Sequence, residues 1–171
     1  MLTSNATLGT HTLVNAGQDN SFVAKLNAAG VWEWAIAVGG VHVDLIHALA
    51  LDGSGNVYVY GEYTSPSLAF GSTVLPDPAG DNGLFVAKLD PTGAWQWAVP
   101  ISGPNMVRSG GLAVDATDNV YVAGLFDSPS LTIGSTTLTN AGGSANSDVF
   151  VAKLSSLGAW QWAVSGGSSS A

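Results

Sequence analysis

The chain has no cysteine, so disulfides, thiolate nucleophiles and zinc–thiolate sites are excluded together. Cations are nearly absent: Lys25, Lys88, Lys153 and Arg108 stand against 12 acidic residues, giving a net charge of −8. A field of that sign repels a phosphate backbone and argues against nucleic-acid partners. Glutamate is as scarce, with only Glu33 and Glu62, and no pair of carboxylates is spaced for acid–base work. No apolar run approaches the roughly 20 residues that span a bilayer as a helix, and membrane insertion is not expected. The segment from Met1 to Asn5 has neither the basic stretch nor the apolar stretch of a signal peptide. No sustained 3.6-residue apolar period appears, while β-branched and aromatic residues abound. Hydrophobic residues nevertheless make up 46% of the 171, enough for a packed core despite 22 glycines.

What the chain has instead is repetition. Phe22-Val-Ala-Lys-Leu26 returns at Phe85–Leu89 and at Phe150–Leu154, each time leading into Gly-x-Trp-x-Trp at Gly30–Trp34, Gly93–Trp97 and Gly158–Trp162. Asn56-Val-Tyr-Val-Tyr-Gly61 is matched by Asn119–Gly124, and Ser65-Pro-Ser-Leu68 by Ser128–Leu131. The spacing of about 63 residues grows to 65 where the third copy carries Ser144 to Ser147. A fixed period of this length marks units that bury their apolar faces against neighbouring copies.

Each unit reads as strands. In the complete second copy, Leu68–Phe70 and Thr73–Leu75 flank Gly71-Ser72, a pair suited to a type II′ hairpin. Leu84–Leu89 alternates, with Phe85, Ala87 and Leu89 on one face and Val86 and Lys88 on the other. Asp90-Pro-Thr-Gly93 has turn chemistry, and Ala94–Ile101 returns as the next strand. Gly111–Asp115, with small residues fit for a crowded position, and Val120–Phe126 supply two more. Four antiparallel strands graded from small to bulky make a β-propeller blade, with the small strand at the axis and the tryptophan strand outside. Leu49–Trp97 and Leu112–Trp162 then form one blade each, while residues 1–38 hold only the outer pair of a third. The expected fold is all-β and antiparallel, about two and a half four-stranded units with an added short hairpin. It is read as a single repeat domain over 1–171, with a partial unit 1–44 and units 45–107 and 108–171.

The run Asp148-Val-Phe-Val-Ala-Lys-Leu154, its turn and Trp162-Ala163, together with Gly111-Leu-Ala-Val-Asp115 and Asn119–Gly124, resembles the bacterial SBBP-type β-propeller repeats. The resemblance implies a propeller-like fold, usually within a large exported or cell-surface protein, and no catalytic residues. The chain departs from it in the inserted hairpin and in having too few copies for a closed ring, which takes roughly four to eight blades.

Candidate chemistry is thin. The tryptophan pairs, at i and i+2, are expected on one sheet face, either packed between blades or stacking on glycans. Asp52, Asn56, Asp115 and Asn119 place oxygens at alternate turn positions, but the calcium-loop spacing and its terminal Glu are missing, so Asx turns explain them. His11, His42 and His47 have no counterpart in the other copies and no second ligand nearby in sequence. Ser102 lacks a nucleophile elbow. No catalytic, cofactor or metal residue is assigned, and an enzyme is not expected. The expected role is a non-catalytic structural or adhesive extracellular module that joins copies of itself or further repeats, with glycans as the alternative partner. Self-association edges are expected at Leu8, Leu13, Phe22, Trp160 and Trp162, because the end units carry almost no charge.

Overall fold

The computed structural model describes residues 1–78, 82–104, 107–142 and 146–169; part of the Ser144–Ser147 stretch and the last two residues lie outside this set. Every regular element among the described residues is a strand, and every strand pairing is antiparallel. A first hairpin, β1 (Ala6–Leu8) and β2 (His11–Leu13), precedes the two-stranded sheet of β3 (Ser21–Leu26) and β4 (Trp32–Val38). The second unit pairs β5 (Asp44–Leu51), β6 (Val57–Tyr63), β9 (Gly83–Leu89) and β10 (Trp95–Ser102) in that order, with the hairpin β7 (Ser67–Phe70) and β8 (Thr73–Pro76) inserted after β6. The third unit repeats this as β11 (Val107–Val114), β12 (Val120–Phe126), β15 (Asp148–Leu154) and β16 (Trp160–Gly166), with β13 (Ser130–Ile133) and β14 (Thr136–Thr139) inserted. The fold is therefore the expected all-β stack of propeller-like blades: one outer pair, a second blade of four strands extended to a six-stranded sheet by β13 and β14, and a third four-stranded sheet. The inner strands β5 and β11 lie side by side at one edge of the stack, and the tryptophan strands lie on the opposite side of their blades.

The hairpins recur for a local reason. Gly9, Gly71 and Gly134 each open the two-residue turn with φ near +60°, where a Cβ is costly, and each faces the first tryptophan of its unit, Trp32, Trp95 or Trp160. The inserted hairpin of the third unit also reaches back to the second sheet, pairing Thr132 with Ser102. The first serine of the Ser-Pro-Ser-Leu motif is fully buried in both copies, Ser65 against Gly40 and Ser128 against Gly103.

Two cores follow from the stacking. One face of the second sheet (Val57, Val59, Phe85, Ala87, Leu89) packs on Val23, Trp34 and Val38 of β3–β4 and on Leu68, Phe70 and Leu75 of its hairpin. Its opposite face (Tyr58, Tyr60, Leu84, Val86, Ile101) packs on Val120, Val122, Phe126, Phe150 and Leu154 of the third sheet. Burial of each of the larger aliphatic and Phe side chains among them contributes about 1.5–3 kcal/mol. Tyr60 adds a bond across the junction, its hydroxyl donating to the Ala123 carbonyl at 3.2 Å.

The structure corrects one expectation. The two tryptophans of a pair do not share a sheet face. Leu89 pairs with Trp95 and the preceding Lys88 with Trp97, so Gln96 is an extra residue opposite neither. The same shift sets Leu26 and Lys25 against Trp32 and Trp34, and Leu154 and Lys153 against Trp160 and Trp162. Such a bulge resets the alternation of side chains. Trp95 accordingly meets Phe70 edge-on at 4.8 Å in one core, while Trp97 lies beside Tyr58 at 6.0 Å in the other.

Candidate docking face

The bulge gives each unit one tryptophan aimed at the following unit, and this recurrent station is the candidate site. At the first junction, Trp34 Nε1 donates to the Pro91 carbonyl at 3.0 Å and Lys25 Nζ to the same oxygen at 3.4 Å. A Cβ on Gly93 would lie 2.9 Å from Trp34 Cδ2, so the indole lies on a turn residue that must lack a side chain. At the second junction Trp97 Nε1 donates to the Ser156 carbonyl at 3.1 Å, Lys88 Nζ follows at 3.5 Å, and a Cβ on Gly158 would lie 2.8 Å from Trp97 Cδ2. The turn between the two outer strands of one blade is thus the receptor for the indole and ammonium of the blade before it.

The turns are preformed by the chain. Gly93 N donates to Asp90 O at 3.0 Å and Asp90 N to Ala94 O at 2.9 Å, and the bonds Gly158 N to Ser155 O and Ser155 N to Ala159 O repeat the geometry. Gly30, Gly93 and Gly158 all have positive φ. In the first unit Gly30 N donates to Asn27 O at 3.0 Å and Asn27 N to Val31 O at 2.9 Å, so residues 27–30 form the same turn. That turn is exposed, and nothing lies within 4 Å of a Cβ placed on Gly30.

Behind each indole in the two complete sheets sits a polar cluster. The Asp52 carboxylate accepts bonds from Ser54 N, Asn56 N, Asn56 Nδ2 and Tyr58 Oη, and Lys88 Nζ lies 3.8 Å away. The third unit reproduces this with Asp115, Thr117, Asn119 and Tyr121. Lys88 and Lys153 stand 4.9 and 5.3 Å above the Tyr58 and Tyr121 rings. Burial alone would raise the Asp52 pKa, but the bonds from Asn56, Ser54 and Tyr58 outweigh it and lower it. Asp115 is lowered as well, first by the Asn119 amide and then by Thr117. Burial and the Asp52 carboxylate push the Tyr58 phenol up, so it stays a donor. These oxygens are committed within the turn, and among the described residues no group of three His, Cys, Asp or Glu side chains is placed around a metal-sized site.

The remaining sequence candidates scatter. Leu13 is buried and Leu8 half-buried in the first hairpin, while Trp160 packs into the core beside Gly134. Phe22 is 38% exposed and Trp162 40% exposed, on the two outward faces of the stack. Phe85 and Phe150, the equivalents of Phe22, are fully buried, and Trp34, the equivalent of Trp162, is 9% exposed. Leu26, Val149, Val151 and Val164 complete these two apolar surfaces. His47 Nε2 is 3.9 Å from Glu62, whose carboxylate accepts from Ser109 N and Oγ of the next unit; His42 is exposed, and His11 Nε2 lies 3.4 Å from Trp32 O. The glycine turns, visible in the repeat, were the one sequence signal for the receptor side of the station. A cleft of about 490 Å³ also opens between β3 and β5–β6, lined by Val23, Lys25, Trp34, Leu49, Leu51 and Pro91; among the described residues β3 pairs only with β4.

No protein-family model matches the chain. It is similar to an uncharacterized WD repeat-containing protein of Acanthamoeba polyphaga mimivirus, 25% identical over 170 residues. The match covers 90% of this chain and only 12% of that protein, so the chain spans a small part of its relative's length. The similarity agrees with the architecture: a repeat module of β-propeller type.

Proposed function

We propose that this chain is a non-catalytic structural or adhesive module of SBBP-type repeats, acting at the cell surface or outside the cell. It functions by joining blade faces, either head to tail with copies of itself or with further repeats of a larger propeller. The domain reading that goes with this is one repeat array, with a partial unit over 1–44 and complete units over 45–107 and 108–171. One observation carries the proposal. Phe22 and Leu26 on one outward face and Val151 on the other are exposed, whereas their equivalents Phe85 and Phe150, Leu89 and Leu154, and Val23 and Val86 are buried at the internal junctions. Exposed apolar patches of this kind on a folded protein mark interaction surfaces. The acidic surface, with four cations in the whole chain, suits a protein partner better than a nucleic acid.

A lectin with one equivalent site per unit finds less support, because the paired indoles point to opposite faces and Trp34 is closed by the next blade. The test is the solution mass measured by light scattering across a concentration series. A mass that rises above the 17.3 kDa of one chain with concentration is the expected result. A dilution-independent monomer would refute self-association as the mode of action.

A further inference from the structure

The repeat builds three indole donors and three glycine turns, and the chain uses two of each. Trp34 takes the turn at Gly93, and Trp97 takes the turn at Gly158. One donor remains, since Trp162 Nε1 and Lys153 Nζ reach no carbonyl among the described residues, and one turn remains, with Gly30 facing open space. The leftover pair is matched in kind. Gly30 has φ +76°, against +90° at Gly93 and +79° at Gly158, and its turn carries the same two backbone bonds. Ala28 stands where Pro91 and Ser156 present their carbonyls.

The surfaces around them correspond as well. Trp162 shares its face with Val149, Val151 and Val164, the equivalents of Leu84, Val86 and Val99 at the filled junction. Gly30 lies beside a face formed by Phe22 and the 48%-exposed Leu26, the equivalents of the fully buried Phe150 and Leu154. All of these residues sit on outer strand pairs, β3–β4 and β15–β16, which both ends possess in full. The contact therefore does not require inner strands on the first unit.

We infer that Trp162 of one copy docks on the 27–30 turn of a second copy, with Trp162 Nε1 and Lys153 Nζ donating to the Ala28 carbonyl and the indole lying on Gly30. The interface is a continuation of the two internal junctions, and the occupant of each outward face is the opposite face of another copy. Because the two patches differ, the contact is heterologous and propagates into a ring or an open filament. This rests on the self-association reading and assigns it a pair of residues.

The experiment uses two variants of the 171-residue chain, each blocked at one end. Trp162→Glu removes the donor, and Gly30→Asn places a Cβ where the indole would lie, in a residue type that tolerates positive φ. Each variant alone is expected to sediment as a monomer under conditions where the native chain associates, its affinity reduced by at least about thirtyfold, the effect of deleting a hot-spot side chain. Mixed one to one, they retain a single competent pair, Trp162 of the Gly30→Asn chain and Gly30 of the Trp162→Glu chain. The mixture should form a 1:1 dimer of twice the chain mass and nothing larger. Near-ultraviolet circular dichroism verifies that both variants are folded, and Leu26→Glu replaces Gly30→Asn if that variant is not. Variants that associate like the native chain overturn the assignment while leaving self-association standing. A native chain that stays monomeric at every concentration overturns both, and a mixture that stays monomeric while the native chain associates overturns the assignment.

Discussion

Trp97 and Trp162 occupy the same position of the repeat, so replacing each by alanine separates the influence of sequence from that of environment. Trp97 is partly buried and packs against the core between the second and third sheets, so its loss opens a gap at that junction. Deletion of a large buried aromatic costs about 3–5 kcal/mol, and a partly buried one such as Trp97 falls at the lower end, about 3 kcal/mol. Within that figure, the Nε1 bond to Ser156 O accounts for about 0.5–1.5 kcal/mol and the Tyr58 ring contact for a similar amount. Trp162 keeps its ring contact with Tyr121, at 6.1 Å, but among the described residues no second blade packs on it, and it is 40% exposed. Trp162→Ala should therefore cost about 1 kcal/mol, as for a half-exposed side chain. In a domain of this size 1 kcal/mol moves Tm by about 2–4 °C, so Trp97→Ala should melt roughly 6–12 °C or more below the native chain and Trp162→Ala only a few degrees below. Differential scanning calorimetry at concentrations too low for association reads both. Equal losses in the two variants would falsify the view that the docking turn, and not the strand position, gives the indole its stabilising role.

Chelation should leave the melting temperature unchanged, because the Asp52 and Asp115 oxygens are already satisfied by turn donors; a drop of many degrees with EDTA would reassign them as ligands. Asp52, Asp90 and Asp115 are all lowered below their ordinary pKa of 3.8, so their contribution is present above roughly pH 4 and is lost as the pH falls through the folded values. The melting temperature should thus hold from neutral pH to about pH 5 and fall below about pH 4, and Asp115→Asn should flatten part of that fall; a decline already under way at pH 6 would contradict the assignment. Asp118 has φ +61° at the position held by Gly55 in the preceding unit, and Asp118→Gly should stabilise by up to about 1 kcal/mol, read as a raised Tm.

The architecture was legible because three copies of one pattern report on the same physics. Alternation in Leu84–Leu89, the Gly71 turn and the Asp90–Gly93 turn are each weak signals alone, and their return at a fixed period made them strong. The tryptophan bulge was not legible. Trp95, Trp97, Val99 and Ile101 alternate without interruption in the sequence, so a regular strand and a strand with Gln96 bulged out fit the same letters. Only the partner strand distinguishes them, by placing Leu89 and Lys88 opposite the two indoles. The same ambiguity holds at Trp160 and Trp162, which spacing groups together, whereas the bulge packs the first against the core and leaves the second outside.

The bulge also explains why the docking station is confined to outer strands. A strictly alternating strand would aim both indoles at one face, where they would fill a single junction and leave the other to small side chains. With Gln96 extruded, Trp95 holds the hairpin of its own unit through Phe70 and Gly71, and Trp97 is released to hold the next unit through Gly158. Each unit is thereby tied internally by one tryptophan and externally by the other. Stability in such an array is the sum of intrinsic unit terms and nearest-neighbour terms, and here the two terms are carried by separate, identifiable residues. Substitution of Trp95 should weaken one unit and its hairpin, whereas substitution of Trp97 should uncouple two units that each remain folded. Hydrogen exchange distinguishes the outcomes. Loss of protection confined to β7–β10 is expected for Trp95→Ala, and loss spread over the junction of β9–β10 with β15–β16 is expected for Trp97→Ala. The same pattern of exchange in both variants would mean that the two indoles act as one packing unit and that the bulge has no such division of roles.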